Sequence, residues 1–237
     1  MKSAIILAGG MGTRLKSVIS DVPKPMAPVQ GRPFLEILMT YWRKQGIEHF
    51  ILSVGHLAHI IQDHFGDRWQ DCQISYSVET EPLGTGGGIL QACSLLSSDE
   101  PTIALNGDTF FAVNLDRLFE FHLQNKADIT LSVFSSVDTE RYMGLITDQF
   151  HKITALNINT QTQTCLVNGG VYALNPAFMK TIAKKANTAQ SWENECLPQF
   201  LATNKRLFTQ TYSANFIDIG VPADYAKVQE FNFSNMV

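Results

Sequence analysis

The sequence of 237 residues lacks the features that would assign it to a membrane, to nucleic acid or to secretion. Its longest strictly apolar run is Ala4–Ala8, which is far too short to cross a bilayer. Its charges are nearly balanced, with 18 Lys and Arg against 22 Asp and Glu, so no broad basic surface for nucleic acid or anionic lipid is expected. No secretory leader is visible, because Gly9 and Gly10 interrupt the apolar stretch that follows Lys2.

Cysteine is also scarce, and the four cysteines are dispersed. They stand at positions 72, 93, 165 and 196, so no C-x-x-C pair indicates a zinc or redox motif. Such cysteines are typical of reduced, buried thiols, and we therefore expect a cytoplasmic protein. A chain of this length with 45% hydrophobic residues can bury a full core without disulfides or a structural metal.

Apolar runs alternate with helix-period segments along the first half of the chain. The predicted strands are Ser3–Ala8, His49–Val54, Gln73–Val78 and Thr102–Asn106. The predicted helices are Phe34–Gln45, Leu57–Phe65, Gly86–Leu96 and a helix capped by Asn114 that runs through Gln124. This alternation predicts βαβ units in an α/β fold, with a mixed, mainly parallel sheet and helices on both faces.

The second half of the chain is less regular. Extended segments are predicted at Ile129–Phe134, Gly144–Thr147, Lys152–Ile158 and Thr164–Leu174, and helices at Pro176–Lys184, Glu193–Ala202 and Pro222–Phe231. No Pro-rich, Ser-rich or charged linker separates the halves, so one domain is predicted over 1–237. Trp192 and Glu193 stand where this pattern places a helix start, and either a helix cap or a ligand-pocket role is open for them.

A glycine-rich loop follows the first strand, where residues 7–15 read Leu-Ala-Gly-Gly-Met-Gly-Thr-Arg-Leu. Closely spaced glycines let backbone N–H groups surround a phosphate, because no Cβ blocks the approach. Arg14 adds a fork of donors suited to phosphate oxygens. Lys24 follows between two prolines that stiffen the backbone, which lowers the entropic cost of directing its ammonium group. The pattern favours a phosphate-binding loop over a plain strand-to-helix turn.

Two other phosphate-binding motifs are absent from this loop. A Walker A loop needs Gly-Lys-Ser/Thr after its spacer, and no such run is present. A dinucleotide fingerprint needs a third glycine three residues after Gly12, but Leu15 stands there. A nicotinamide-dependent oxidoreductase is therefore disfavoured.

Together with Pro-Lys-Pro-Met at Pro23–Met26, the loop resembles the N-terminal signature of the sugar-1-phosphate nucleotidyltransferases. The resemblance implies a single Rossmann-like domain, with a nucleotide-binding part at about 1–125 and a sugar-phosphate-binding part at about 126–237. It implies catalytic roles for Arg14, Lys24 and Asp108. It also implies that a set of loop residues holds the triphosphate of a nucleotide: Leu7, Ala8, Gly9, Gly10, Gly12, Thr13 and Arg14.

A second glycine-rich segment covers 79–88, with four glycines in its last five positions. One interpretation is a helix start capped by Thr85 or a glycine. The glycine density instead favours a flat ligand lying on bare backbone. The segment resembles the family's loop for the base and ribose, and the resemblance implies nucleotide-binding roles for Glu79, Pro82, Leu83, Gly84 and Gly87.

Two aspartates follow apolar runs far apart in the chain. Asn106, Gly107 and Asp108 end a buried strand, at the edge where open parallel sheets bind ligands. The resemblance implies that Asn106 and Gly107 contact the nucleotide and that Asp108 and Asp218 bind Mg²⁺, an ion that prefers oxygen donors. Taken alone, Asp108 could equally be a turn residue.

This chain resembles the family's sugar-phosphate site only in part. The resemblance implies roles there for Lys24, Tyr142, Gly144, Asn168, Gly169 and Gly170, although a β-bulge would also explain the glycines. A Glu-Lys-Pro run found in many members is missing, since no charged residue stands from Ile153 through Asn175. Lys24, Lys152, Arg141 or another cation must then hold the sugar phosphate.

Ser20–Pro28, Gly31–Glu36 and Leu105–Phe111 look most like the D-glycero-α-D-manno-heptose 1-phosphate guanylyltransferases of this family. The resemblance implies transfer of a nucleotidyl group from GTP to that heptose 1-phosphate, with Mg²⁺ as cofactor and pyrophosphate as product. A hexose 1-phosphate uridylyl- or thymidylyltransferase and a catalytically silent sugar-nucleotide sensor are the alternatives, and a homodimer stays open. The phosphate nucleophile is already mostly ionised at neutral pH, so no general base is required.

Overall fold

A computed structural model describes residues 1–10, 15, 19, 21–138, 141–158, 164–183 and 188–233. The strands of this described part are β1 (Ser3–Leu7), β2 (Pro28–Val29), β3 (Arg32–Pro33), β4 (His49–Val54), β5 (Arg68–Trp69), β6 (Cys72–Val78), β7 (Thr102–Asn106), β8 (Thr109–Phe111), β9 (Ile129–Ser136), β10 (Gly144–Thr147), β11 (Ile153–Ile158), β12 (Cys165–Leu174), β13 (Leu207–Thr211) and β14 (Phe216–Asp218). Its α-helices are α1 (Phe34–Lys44), α2 (Ala58–Phe65), α3 (Gly84–Ala92), α4 (Leu115–Gln124), α5 (Pro176–Ala183), α6 (Leu197–Ala202) and α7 (Pro222–Val228). Short 3₁₀ turns occupy Lys24–Met26 and Cys93–Leu95, and a π-helical turn occupies Trp192–Cys196.

Within these residues, ten strands form one mixed sheet. Its main path runs β11-β10-β12-β7-β1-β4-β6-β5, while β9 pairs with β12 and carries β13 on its other side. The block β7-β1-β4-β6 is parallel throughout, and β9 also pairs with β13 in parallel. The strands β10, β11 and β12 join by antiparallel pairing. The α/β class with a mixed sheet is confirmed.

Two apolar layers cover the opposite faces of this sheet. Along β1, Ala4 and Ile6 belong to one buried cluster, and Ile5 belongs to the other. The first cluster receives apolar side chains of α1, α2 and α4, and the second receives those of α3, α5 and α6. Because successive strand residues point to opposite faces, the apolar runs of the central strands supply both layers. The predicted placement of helices on both faces is confirmed.

The predicted elements of the first half match the observed ones to within a few residues. The helix predicted at Gly86–Leu96 begins two residues earlier, at Gly84, and its last turn is 3₁₀. In the second half, the helix predicted from Glu193 begins as a π-helical turn, and α7 ends at Val228 rather than Phe231. Lys184, the last residue of another predicted helix, lies outside the described residues.

Two observed pairings were not predicted. The strand β13 pairs with β9, and the short β14 pairs with β8 as a separate two-stranded ribbon. Both depend on partners about 80 to 100 residues away in the chain, which a local pattern does not reveal. No helix within the described ranges is long and apolar enough to span a membrane.

Candidate active site

The carboxyl ends of the parallel strands bring the predicted motifs to one edge of the sheet. Leu7 of β1 lies in register with Ser53 of β4 on one side and Asn106 of β7 on the other. The loops that follow these strands therefore begin side by side, where ligands of open α/β sheets bind. Gly107 reinforces the junction, because its N–H donates to the Leu7 carbonyl at 2.9 Å.

A cleft of about 490 Å³ opens at this edge, which is a volume suited to a small-molecule ligand. Its lining residues are Leu7, Gly9, Gly10, Gly55, His56, Glu79, Thr80, Glu81, Pro82, Gly84 and Thr85. The structure thus brings together six of the predicted nucleotide residues. It places the others beside or behind the lining: Ala8, Leu83, Gly87, Asn106 and Gly107. Gly12, Thr13 and Arg14 lie outside the described residues.

The Glu79 carboxylate holds the loop that walls the cleft. Oε1 accepts a hydrogen bond from the Ser53 hydroxyl at 2.9 Å, and Oε2 accepts one from the Leu83 N–H at 3.0 Å. A hydrogen bond to a charged group is stronger than a neutral one. Glu79 therefore fixes the residues 79–88, here named the nucleotide loop, while part of its carboxylate faces the cleft.

The glycine density of the nucleotide loop has a packing cause. Gly84 has a φ of +69°, and a Cβ there would lie 2.6 Å from the Gln190 carbonyl oxygen. A Cβ on Gly86 would lie 2.6 Å from the Cys196 sulfur. Leu83 and Gln190 are also joined through their backbones at 2.8 Å. The protein's own 188–196 segment fills the space beside these two glycines, so packing accounts for them without a ligand, and the predicted contact of this loop with the base stays a prediction.

Gly10 presents the opposite situation. A Cβ added there would meet no atom of the described residues within 4 Å, although the residue lines the cleft. Its neighbour Gly9 is tightly enclosed, since a Cβ there would lie 3.1 Å from both the Gly55 nitrogen and Glu79 Oε1. Packing alone therefore explains glycine at position 9 but not at position 10.

Lys24 and Asp108 form an ion pair at the end of β7. Lys24 opens a 3₁₀ turn whose next residue is the buried Pro25, and its side chain is only 14% exposed. Asp108 is 33% exposed, so the pair is only partly buried, and it stands just after β7, the strand that pairs with β1. The backbone of Asp108 also contacts the residue that follows the second predicted aspartate, Asp218. The Asp108 carbonyl accepts a hydrogen bond from the Ile219 N–H at 3.0 Å.

Asp218 ends β14, which pairs with β8 so that Asp218 stands opposite Thr109. Its Oδ2 lies 2.9 Å from a guanidinium nitrogen of Arg141, and Arg141 also forms an ion pair with Asp224 of α7. Arg141 thus links two carboxylates that follow it in the sequence by 77 and 83 positions. Asp224 was not predicted, and no feature of the sequence pointed to it.

The two aspartates have the donor chemistry of a Mg²⁺ site. Both offer carboxylate oxygens, and both form an ion pair with a cationic side chain. Asp108 directly precedes β8, and Asp218 ends β14, the strand that pairs with β8. Within the described ranges, no group of three or more His, Cys, Asp or Glu could hold a metal. A metal held by one or two carboxylates, with substrate phosphates as further ligands, is the arrangement that Mg²⁺ prefers.

The predicted sugar-site residues lie on β10, on β12 and just before β10. Asn168 is buried, donates to the Tyr172 hydroxyl at 2.6 Å and accepts from the Gly170 N–H at 3.1 Å. The β9–β12 register shifts between Asn168 and Tyr172, so an irregular strand does occur at Gly169 and Gly170. Tyr142 packs edge-on against Phe134 and Phe216, and its burial raises its pKa to about 12.

The structure separates the cations proposed for the sugar phosphate. Arg141 stands just before β10 and beside Asp218. Lys152 precedes Ile153, which pairs with Thr147 at the far end of β10 from Gly144. Three residue steps of strand correspond to about 10 Å. Lys24 and Arg141 therefore each pair with one of the two predicted metal aspartates, whereas Lys152 stands at the other end of β10.

Known proteins of similar sequence and structure show the family to which this chain belongs. A family described as "Nucleotidyl transferase" matches residues 3–235. A D-glycero-α-D-manno-heptose 1-phosphate guanylyltransferase of Aneurinibacillus thermoaerophilus is 40% identical over 96% of each chain. One of Campylobacter jejuni is 38% identical over 94% of this chain and 96% of its own. The crystal structure of HddC from Yersinia pseudotuberculosis superposes with a TM-score of 0.83 at 35% identity, covering 97% of this chain and 99% of HddC, and HddC has also been crystallised with GMP-PN.

Proposed function

The chain belongs to the nucleotidyl transferase family, and we propose that it transfers the guanylyl group of GTP to D-glycero-α-D-manno-heptose 1-phosphate. One observation carries the proposal: a cleft of about 490 Å³ opens beside the carboxyl end of β1, and the Lys24–Asp108 ion pair follows β7, the strand that pairs with β1. The heptose and the guanylyl group rest on what the relatives from Aneurinibacillus and Campylobacter are named to transfer.

The cleft chemistry supports guanine as the base. Glu79 and Glu81 are among its lining residues, and within the part of the chain that the structure describes this lining holds no Lys or Arg. Guanine presents neighbouring N–H donors on its Watson–Crick edge, including the exocyclic amine. An ionised carboxylate has about four acceptor positions, and Glu79 uses one on each oxygen for Ser53 and Leu83. It therefore keeps acceptor capacity for a purine of this kind.

The proposed reaction is an in-line displacement at phosphorus. An oxygen of the sugar phosphate attacks the α-phosphorus of GTP, the bond to the bridging oxygen breaks, and pyrophosphate leaves with that electron pair. Lys24 offsets the charge that accumulates on the phosphates, and the bare backbone at Gly10 offers N–H donors to them. Mg²⁺ held by Asp108 and Asp218 would neutralise and align the phosphate oxygens.

Arg141 is the proposed receptor of the sugar phosphate, in place of the missing Glu-Lys-Pro lysine. Its guanidinium carries five donors, and its ion pairs with Asp218 and Asp224 occupy two of its nitrogens. The paired carboxylates hold the group at the end of β10, so that little side-chain entropy is lost when phosphate binds. The proposed sugar-binding part, about 126–237, thus supplies a cation from its own loop.

The proposal is tested by incubating the protein and Mg²⁺ with each of the four common nucleoside triphosphates and a panel of sugar 1-phosphates. Pyrophosphate release is the readout, and GTP with the manno-heptose 1-phosphate should give the highest kcat/KM. A preference for UTP or dTTP with a hexose 1-phosphate would contradict the substrate assignment. Release with no pair at all would favour the catalytically silent sensor.

A further inference from the structure

We infer that Glu193 is a positioning residue that ties the nucleotide loop to the sugar-side strand β12. Its carboxylate contacts both sides of the site at once. Oε2 accepts a hydrogen bond from the Thr85 hydroxyl at 2.9 Å, and Oε1 accepts one from the Tyr172 hydroxyl at 3.0 Å. Thr85 lines the cleft, whereas Tyr172 lies in β12.

The donors of this bridge have fixed directions. Burial, together with the nearby Glu193 charge, raises the pKa of Tyr172 well above its ordinary value, so its hydroxyl keeps its proton and donates it to Glu193. The same hydroxyl oxygen accepts from the Asn168 amide at 2.6 Å. One chain of hydrogen bonds therefore runs from Asn168 through Tyr172 and Glu193 to Thr85.

The segment that carries Glu193 is firmly seated on the nucleotide loop. The Trp192 side chain is fully buried between Tyr172 and Phe200, and its backbone N–H donates to the Thr85 hydroxyl oxygen at 2.8 Å. The π-helical turn at Trp192–Cys196 aims the next residue back at Thr85 and Tyr172. Such turns are frequent at functional sites. Glu193, which is half-buried, consequently has two anchored hydrogen-bond donors.

The function of this bridge follows from what its ends touch. Thr85 borders the cleft that the proposed function assigns to the base, and Asn168 fixes the irregular part of β12 that it assigns to the sugar. The inference rests on that proposed function for the identity of the substrates. Without Glu193, the Thr85 and Tyr172 hydroxyls lose a charged acceptor, and the nucleotide loop and β12 are no longer held together at this point. Binding of either substrate should then weaken, with the reacting groups themselves still present.

The first test compares Glu193→Ala and Glu193→Gln, with Glu195→Gln as the matched control in the same turn. Glu195 accepts only from the Ser191 N–H, at the start of its own turn. Because two charge-assisted hydrogen bonds are lost, Glu193→Ala should raise KM for both substrates about tenfold while kcat falls less. Glu193→Gln should recover part of this loss, since its amide oxygen still accepts from Tyr172. Glu195→Gln should match the parent protein.

A rise confined to the sugar KM would overturn the inference in favour of a direct sugar contact, and unchanged values for both substrates would overturn it outright. Melting temperatures of all variants verify that each is folded at the assay temperature. Glu193→Gln, which nearly preserves the side-chain shape, keeps the test decisive if Glu193→Ala does not fold.

The second test measures GTP binding alone by calorimetry and needs no turnover. Thr85→Val and Tyr172→Phe each remove one hydroxyl, and Tyr172 is outside the cleft. In the parent protein, the effects of these two changes on the Kd of GTP should be non-additive. In the Glu193→Ala background, they should be additive, because the residue that couples them is gone. Additivity in both backgrounds would overturn the inference.

The two tests also separate failure of this inference from failure of the proposed function. If the parent protein binds GTP but turns over no heptose 1-phosphate, the sugar assignment fails and the calorimetric cycle still judges Glu193. If the parent protein prefers another triphosphate, the same cycle is run with that nucleotide.

Discussion

The proposed nucleotide side and the proposed sugar side of the site are built from different kinds of groups. On the nucleotide side, parallel strands end in glycine-rich loops, and much of the cleft wall there is backbone. On the sugar side, strands pair mostly antiparallel, and the site consists of ion pairs and hydrogen bonds between side chains such as Arg141, Asp218 and Asn168. A site made of backbone leaves glycines clustered in the sequence, whereas a site made of side chains is assembled from distant positions. The first kind is therefore much easier to predict.

The largest expected effect is at the boundary between the two sides, at Asp108. The Asp108→Asn change removes a charge that pairs with Lys24 and is proposed to hold Mg²⁺. We expect kcat to fall at least about 10²- to 10³-fold, the scale seen when one electrostatic contact to a transition state is removed. Lys24 is only 14% exposed, so loss of its charged partner should lower the free energy of unfolding by about 1–3 kcal/mol while the protein stays folded. Steady-state kinetics and denaturant unfolding check both parts, and a near-normal rate would leave Asp108 as a turn residue only.

The next effect should be confined to the sugar side. Arg141→Ala removes the guanidinium between Asp218 and Asp224, and we expect KM for the sugar 1-phosphate to rise about 10- to 100-fold, as for a lost charge-assisted phosphate contact. The Kd of GTP alone should change little. Lys152→Ala is the control, because Lys152 stands at the far end of β10. If Lys152→Ala has the larger effect, the assignment of the phosphate cation is wrong.

The smallest expected effect is a difference in stability between substitutions at Gly84 and at Gly10, two glycines on the nucleotide side. Gly84→Ala forces a Cβ against the Gln190 carbonyl at a positive φ, so we expect a loss of about 1–3 kcal/mol in the free energy of unfolding. The Cβ of Gly10→Ala meets no atom of the described residues within 4 Å, so we expect stability to be retained and only the Kd of GTP to rise. Chemical denaturation and calorimetry of both variants measure the difference. Equal destabilisation by the two changes would remove the distinction between packing and ligand-facing glycines.

Much of the nucleotide side followed from local patterns. The buried runs of β1, β4 and β7 and the loops after them were predicted nearly to the residue, because apolar periodicity and glycine spacing are local properties. The packing requirement for Gly84 and Gly86 was not predicted, since Gln190 and Cys196 approach from a segment about 100 residues away. The roles of the individual site residues stay predictions.

On the sugar side, the sequence left three cations as candidates and gave Glu193 two open interpretations. Pairing of β10 with β11 placed Lys152 away from the site, and pairing of β14 with β8 brought Asp218 next to Asp108. The fold also joined Glu193 to Thr85 and Tyr172. Asp218 and Thr109 stand opposite each other, and Glu193 contacts Thr85, although each pair is separated by about 110 residues, so no local pattern could have brought them together.

The sequence by itself therefore determined the α/β class, the order of most elements and the family to which the glycine-rich loop and Pro-Lys-Pro segment belong. Only the tertiary structure decided which charges meet: Lys24 with Asp108, Arg141 with Asp218 and Asp224, and Glu193 with both sides of the cleft. The physical reason is that secondary structure depends on periodicity over a few residues, whereas an ion pair or hydrogen bond requires approach within a few ångströms, which only the paired strands impose.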